Sequence, residues 1–432
     1  METRAHARIR LLRRFALTGV FALYLAFCRL ILVLFMAGRN SLGEKKMKID
    51  FVTERHREDL RRLHSYCFEM EPGDDWFAPG NFLGVFDGER LVSSLEIYPF
   101  EIFFCGRPVK MGGIGAVSTL PEYRRRNLIA ALMERALAIM RERGDIFSML
   151  GPFSYRFYRK FGWELAFHRW EYTVSMEDFA DFGRGAGRFL PLTMADLPWI
   201  KTVYEKYVAG YNGALKRSDS WWRHLLKKLE KQGYHFYGYE NDRGQLEGYL
   251  FFQLNKGKIL VHELVYLSHP VKEEIFRFFH LHSAQAETVV WRAPAGDSSL
   301  LVLPEPPVNC RLISGMMARV VDVKSALEHL SFPPERAVSF SLKVDDPHAG
   351  WHHNRCFQVR IAEGKARVEE KPENGEKPDL ECPVQSFSQF VLGYTGLKES
   401  VEMGKVILRD EKRLQELAEF FPVKKTFLND WF

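Results

Sequence analysis

The sequence predicts a mixed α/β fold of the α+β kind: mainly antiparallel sheets with flanking helices, in two similar tandem blocks followed by a smaller α+β domain. Three observations predict it. A strand, a basic turn and an apolar-periodic helix follow one another from Gly113 to Met140. The same order of helices and strands returns at lower fidelity between Phe189 and Pro304. Finally, Val338-Ser-Phe-Ser-Leu-Lys-Val344 is apolar at every second position, which gives one face to a core and the other to solvent.

The first block, residues 47–188, opens with a strand at Ile49–Val52, Thr53 as helix N-cap, and a helix through Leu60, Leu63 and Phe68. Strands are expected at Asn81–Phe86, Arg90–Pro99 and Glu101–Phe104, with Asp87-Gly88 as a hairpin turn. Then comes GIGAVSTLPEYRRRNLIA, residues 113–130. Ile114, Ala116, Val117 and Thr119 form a strand that ends at Pro121, and Leu128, Leu132, Leu137 and Met140 set a helical period. Arg124, Arg125 and Arg126 therefore stand at a helix N-terminus, where unpaired N–H groups and the helix dipole already attract an anion. The arrangement suits a pyrophosphate. A strand at Phe147–Leu150, a helix carrying Tyr158 and a last strand at Trp170–Val174 complete the block.

In the second block, residues 189–315, helices cover Met194–Tyr211 and Ser220–Glu230, and strands cover Tyr234–Tyr239, Leu246–Leu254 and Ile259–Leu267. Its counterpart of the arginine turn, Ser268–Glu274, has Lys272 beside Glu273 and Glu274, a poor phosphate site. This copy is expected to shape a wall of the substrate cleft. The third block, residues 316–432, begins at Met317-Ala-Arg-Val-Val and continues with a helix at Ser325–Leu330. Strands at Phe357–Ile361 and Ala366–Glu370, helices at Gln385–Gly393 and Lys412–Phe420 and the apolar tail Thr426–Phe432 follow.

Composition narrows the class. At about 100–200 residues per domain, 432 residues make roughly two to four domains, and 46% apolar content supplies their cores. The net charge of +6 is concentrated at one end: residues 1–46 carry nine Arg or Lys against Glu2 and Glu44, a net of +7 that leaves −1 for the rest. A near-neutral body has no footprint for nucleic acid. Cys28, Cys67, Cys105, Cys310, Cys356 and Cys382 are widely spaced without a CxxC pair, which favours free thiols over disulfides or zinc. His352, His353 and Cys356 are the nearest approach to a metal cluster, and adjacent histidines on a strand point oppositely. Phe15–Met36 is long enough to span a bilayer at about 20 residues per crossing, interrupted by Arg29. The basic residues before it outnumber those after it, an orientation that would export everything downstream. Since Met47 opens a strand cleanly, it is expected to be the true start, with residues 1–46 a mis-assigned extension and a membrane anchor the alternative.

Tyr158-Arg-Lys-Phe-Gly-Trp163 is an aromatic helix end followed by glycine and a new strand. With the arginine run it resembles the GNAT family of acyl-CoA-dependent N-acetyltransferases. That family's Q/R-x-x-G-x-G/A loop corresponds here to Arg124, Asn127 and Ile129. Asn tolerates positive φ and keeps the turn, whereas Ile129 brings bulk toward the phosphates. Over nearly all of Met47–Phe432 the chain is similar to the Eis (enhanced intracellular survival) type. The features in common are PxxRRR before an apolar helix, a degenerate second GNAT domain, a sterol-carrier-like C-terminal domain and an aromatic last residue.

The resemblance implies acetyl-CoA as co-substrate, no metal, a cytoplasmic enzyme and a homo-oligomer, hexameric in the Eis type. It implies a strand splayed from its neighbour, with Val117, Ser118 and Thr119 along the pantetheine arm. Arg124, Arg125, Arg126, Asn127, Leu128, Ile129 and Ala130 would hold the pyrophosphate, and Phe153 and Ser154 would line the pantetheine side. Tyr158 is implied as the acid, with Tyr155 as the alternative donor, and the terminal α-carboxylate of Phe432 as the base. The sterol-carrier-like domain is expected to be architectural.

Acyl transfer to an amine needs these roles. An alkylammonium with pKa near ~10.4 must lose a proton before its lone pair attacks a thioester. A phenol at ~10 can protonate the departing thiolate when transfer is coupled to C–S cleavage in a dry site. A polycationic acceptor, such as an aminoglycoside, polyamine or lysine, calls for acid in the pocket, and Glu69, Glu71, Asp74 and Asp75 cluster after the first helix while Asp430 neighbours the tail end. The alternative function is a non-catalytic CoA- or lipid-binding sensor on the same scaffold.

Overall fold

The computed structural model describes residues 47–432 apart from 70–77, 79, 184, 353–354 and 374. The candidate acids Glu71, Asp74 and Asp75, the residue His353 and the apolar run 15–36 lie outside the described residues. Among those described, no helix is long and apolar enough to cross a membrane.

Three sheets organise the chain. The first runs β1 (Lys48–Phe51), β2 (Phe82–Asp87), β3 (Arg90–Phe104), β4 (Arg107–Thr119), β5 (Phe147–Leu150), β14 (Met317–Val320), β6 (Glu164–Leu165). The second runs β8 (Arg188–Pro191), β9 (His235–Glu240), β10 (Leu246–Asn255), β11 (Lys258–Tyr266), β12 (Thr288–Pro294), β7 (His168–Ser175), β13 (Asn309–Ser314). Both are antiparallel except at the equivalent pairs β4–β5 and β11–β12. The two orders are the same, and each sheet takes its sixth strand from the other repeat.

That exchange corrects two expectations. Trp170–Val174 does not close the first sheet: as part of β7 it lies between β12 and β13 and sends Tyr172 and Val174 into the second core. Met317–Val320, expected in the third block, completes the first sheet between β5 and β6. Alternation along a strand reveals which face is apolar but not which sheet receives it. A third difference is that Arg90–Phe104 is one strand through Pro99. Ile97 N bonds Asn81 O on the β2 side, so the nitrogen of Pro99 faces the same side, where β2 has already ended. The Asp87-Gly88 hairpin turn is as expected, with Gly88 at φ +64°.

Helices α1 (Arg57–Phe68), α2 (Leu128–Arg143) and α3 (Tyr155–Arg159) flank the first sheet, and α4 (Leu197–Val208), α5 (Asp219–Lys231) and α6 (His269–His280) flank the second. Leu132, Met133, Ala136, Leu137 and Met140 of α2 close over one face of the first sheet. The opposite face, through Ile102, Phe104, Met111, Phe147 and Met149, shares one continuous core with the third domain. That domain is a five-stranded sheet, β17 (Lys365–Pro372), β16 (Arg355–Ala362), β15 (Val338–Asp345), β18 (Leu380–Pro383), β19 (Ile407–Leu408), with α7 (Val323–Glu328), α8 (Val384–Leu392) and α9 (Leu397–Glu402). The expected Lys412–Phe420 helix contracts to Leu414–Ala418.

Candidate active site

β4 and β5 part company. Their parallel pairing runs only from Met111↔Phe147 to Ile114↔Leu150, after which β4 continues to Thr119 without β5 beside it. A bulge in the β3–β4 ladder, with Ala116 at φ +49°, turns β4 away at this point. The result is a V-shaped opening with unpaired β4 backbone along one side. Ser118 Oγ is 2.9 Å from Ser94 Oγ, and Thr119 Oγ1 is 2.7 Å from Ser93 Oγ. Those hydroxyls are tied to β3, so Val117, Ser118 and Thr119 offer the opening their main chain.

At the end of β4 the arginine loop folds into a nest. Arg125 (φ +61°) and Asn127 (φ +57°) are both left-handed, which turns successive N–H groups inward, and α2 begins at Leu128. Asn127 thus supplies the positive φ expected of it. Ala131 N makes the first intrahelical bond, to Asn127 O at 3.2 Å, so the N–H groups of Leu128, Ile129 and Ala130 precede the ladder. Ile129 packs its side chain against the α2 core rather than standing free over the loop. Arg124 donates to Thr119 O at 3.3 Å, and Arg126 donates to Glu122 O while lying 4.8 Å from the Tyr123 ring centroid. All three guanidinium groups are exposed, and among the described residues none is in an ion pair. A donor set of exposed guanidinium groups around free N–H groups fits a pyrophosphate.

Tyr158 is buried on the α2 side, in the cluster of Ile114 and Leu150, the last paired residues before the strands separate. Burial pushes its phenol well above the usual range, so it holds its proton at neutral pH. Phe153, 72% exposed, places its ring centroid 5.3 Å from that of Tyr158. Ser154 caps α3 through Phe157 N, and Tyr155 donates its hydroxyl to Gly315 O at 2.7 Å, so both are engaged locally.

The tail approaches from the other face. Asn212 of the second block threads it, accepting from Phe427 N through its carbonyl and donating to Lys425 O, while its side chain bonds Cys105 N and Leu392 O. Asn429 accepts from Arg169 at 3.0 Å. Asp430 receives Arg217 Nε at 2.9 Å and Trp221 Nε1 at 2.8 Å. Its carboxylate is therefore buried and committed, not open to a substrate as its position in the sequence suggested. Beyond it, the Trp431 indole lies where a Cβ on Gly151 would stand, 2.7 Å away, and the Phe432 ring likewise fills the place of a Gly113 side chain. The Phe432 carboxyl carbon is 3.4 Å from the Cβ position of Gly115. Three glycines at the parting strands let the last two residues lie against the opening.

Around Phe432 stand Tyr98, Phe100 and Trp221, with Tyr98 and Phe100 stacked at 5.2 Å and Phe432 4.9 Å from Phe100. Glu96 belongs to the same face and was missed in the sequence, where the only signal is one acid within the apolar run Leu95–Phe100. It is 4% exposed, and burial pushes its carboxyl up to about 7, against the polar Tyr98 and Asn81 side chains, which favour the carboxylate.

Comparison with known proteins agrees with this geometry. Residues 48–166 match an acetyltransferase (GNAT) domain family, residues 213–320 match a second one, and residues 323–429 match a sterol carrier protein domain family. An uncharacterized N-acetyltransferase of Streptomyces avermitilis is 24% identical over 343 residues, 75% of this chain and 82% of that protein. Another from the same organism is 26% identical over 197 residues, 43% of this chain and 47% of that protein, so the chain spans about half of its length. A conserved Enterococcus faecalis protein, a probable N-acyltransferase, superposes with TM-score 0.81 at 26% identity, covering 90% of this chain and all of that one. Eis1 from Mycobacterium abscessus shares the fold, with TM-score 0.74 at 19% identity, covering 89% of this chain and all of that one.

Proposed function

Since the chain is a GNAT acyltransferase, a tandem of two such domains with a sterol carrier domain behind them, we propose that it moves the acetyl group of acetyl-CoA onto an amine at the opening between β4 and β5. The observation that carries this reading is the convergence on one opening of an arginine nest, a proton-holding Tyr158 and the carboxyl end of Phe432.

Acetyl-CoA supplies the activated acyl thioester. Arg124, Arg125, Arg126 and the N–H groups of Asn127, Leu128, Ile129 and Ala130 hold its pyrophosphate, and the unpaired backbone of Val117–Thr119 holds the pantetheine arm. Phe153 and Ser154 line that arm's far side. The α-carboxylate of Phe432 takes a proton from the amine nitrogen. A main-chain N–H in Val117–Thr119 steadies the oxyanion of the tetrahedral adduct, where fixed dipoles act without reorganisation. Tyr158 then protonates the leaving thiolate from the opposite face. In the second domain Lys272 is bonded to Asp297 at 2.8 Å inside the core, so the counterpart loop offers no free cation.

We propose a polycationic acceptor, supported by the acids Glu71, Asp74 and Asp75 that follow α1 in the sequence. Asp430 is not offered to the acceptor, because its buried carboxylate is held by Arg217 and Trp221. A cytoplasmic location, which supplies acetyl-CoA, and a homo-oligomeric state belong to the same reading. The test is thiol release from acetyl-CoA in the presence of spermine, tobramycin or a lysine peptide. Amine-dependent release supports the enzyme; tight acetyl-CoA binding with no release for any amine supports a sensor.

A further inference from the structure

We propose that Glu96 and Tyr98 form a proton relay on the acceptor side of the opening, in which the Tyr98 hydroxyl passes the first proton of the substrate ammonium inward to Glu96. The proposal rests on the acetyl-transfer reading above and adds the destination of a proton that reading leaves to Phe432 alone.

Placement comes from strand register. Glu96 pairs with Gly115 and Tyr98 with Gly113 across the β3–β4 ladder. Leu95 and Ile97 between them enter the α2 core, so Glu96, Tyr98 and Phe100 share the opposite face, where the tail lies. The Tyr98 ring leans over Gly115, 2.8 Å from its Cβ position, and the Phe432 carboxyl carbon stands 3.4 Å from that same point. The Tyr98 and Phe432 ring centroids are 5.8 Å apart. Asn81, ahead of β2, and Tyr98 are the polar side chains that act on Glu96 among the described residues; beside it stand Gly115 of β4, its partner in the ladder, and Phe432 of the tail. Unlike the other buried acids of this region, Glu263 and Asp430, Glu96 has no cation beside it among the described residues. An uncompensated buried carboxyl is costly, and perturbed acids of this kind gather where protons move.

The chemistry needs such a group. An amine that arrives as ammonium loses two protons on the way to an amide. The first departs from a nitrogen with pKa near ~10.4, out of reach of an ordinary terminal carboxylate at ~3.5. Burial raises Glu96 to about 7, which closes half that gap. In the relay, a substrate N–H bond breaks as a new Tyr98 O–H bond forms, and the original Tyr98 proton forms the Glu96 O–H bond. The phenol ends as it began, the amine lone pair is freed, and Glu96 returns its proton to solvent between turnovers. The second proton leaves the far more acidic nitrogen of the tetrahedral adduct, for which the Phe432 carboxylate suffices.

Glu96→Gln, Tyr98→Phe and the double variant are compared with the wild type by thiol release across about pH 5 to 9, by acetyl-CoA affinity, by melting temperature, and by infrared spectra of the protonated carboxyl region. Each single variant is expected to lower kcat about 100-fold and to abolish the limb of the kcat/KM profile near neutrality, with acetyl-CoA affinity unchanged. The double variant is expected to be no worse than either single one, because both groups lie on one path. In the infrared, a carboxyl band that titrates near neutrality is expected in the wild type, displaced in Tyr98→Phe and absent in Glu96→Gln. Single variants that keep wild-type kcat and pH profile, losses that multiply in the double variant, or no such band in the wild type would each overturn the relay. Wild-type protein that releases no thiol with any amine would overturn the acetyl-transfer reading instead, and the infrared band would still decide whether the pair exists.

Discussion

Arg217 Nε lies 2.9 Å from Asp430 Oδ1 in a pair withdrawn almost wholly from water, so the second GNAT domain holds the tail two residues before it meets the opening of the first. Arg217 also donates to Glu263, which Tyr249 bonds in turn, and stacks on Tyr204 and Trp222 at 4.2 and 4.4 Å. The second repeat thus fixes where Phe432 ends beside the first. Losing Asp430 leaves Arg217 paired with Glu263 alone and Trp221 Nε1 without its acceptor.

Asp430→Ala, which leaves Arg217 Nε and Trp221 Nε1 without an acceptor, is expected to destabilise the protein by about 1–3 kcal/mol and to cut turnover sharply, with acetyl-CoA affinity kept. Asp430→Asn, which retains a hydrogen-bond acceptor for Trp221, is expected to cost less. Thermal melts and initial rates on both variants check the ordering.

Gly151→Ala places a methyl group 2.7 Å from the Trp431 indole, and Gly113→Ala places one against the Phe432 and Phe100 rings. Overpacking of this kind costs about 1–3 kcal/mol. Neither site needs positive φ, so the cost falls on the tail rather than on the local backbone. We expect both to lower kcat at least about tenfold while the KM for acetyl-CoA stays near wild type.

Tyr158→Phe removes the proposed proton donor but keeps the ring among Phe153 and Phe157. Turnover should fall about 100- to 10,000-fold with little change in melting temperature. Tyr155→Phe loses its bond to Gly315 O and should lower stability by about 1 kcal/mol while leaving most of the activity. Equal losses of activity in the two variants would contradict the assignment.

How far the sequence carried these assignments differs by element. The arginine nest was legible because its meaning is local: three guanidinium groups, a helix start and an Asn tolerant of positive φ all lie within one turn. The strand at Trp170–Val174 was legible and Met317–Val320 was legible only as the start of a block, but not the sheets that receive them, since sheet membership is decided by partners more than 100 residues away in sequence. Asp430 was misread for the same reason, because nothing beside it announces Arg217. Glu96 escaped notice because burial, which gives it its character, is a property of the folded ladder.

Glu96 also makes stability depend on pH. Its folded pKa, about 7, lies above the ordinary value of 4.5, so the protonated form is favoured by folding. The associated stability is fully present below about pH 4.5 and is lost as pH rises through 7, an effect on the order of 3 kcal/mol. Glu96→Gln should therefore melt progressively higher relative to wild type between these two values. A constant difference in melting temperature would contradict the raised pKa.

The most direct measurement of the central claim is turnover of a chain lengthened by one glycine after Phe432, with acetyl-CoA affinity determined on the same sample. The added residue carries the α-carboxylate away from Gly115 while leaving the arginine nest and Tyr158 untouched. The account predicts that turnover falls at least about 100-fold and that acetyl-CoA binds as before. Full turnover by the lengthened chain would contradict it.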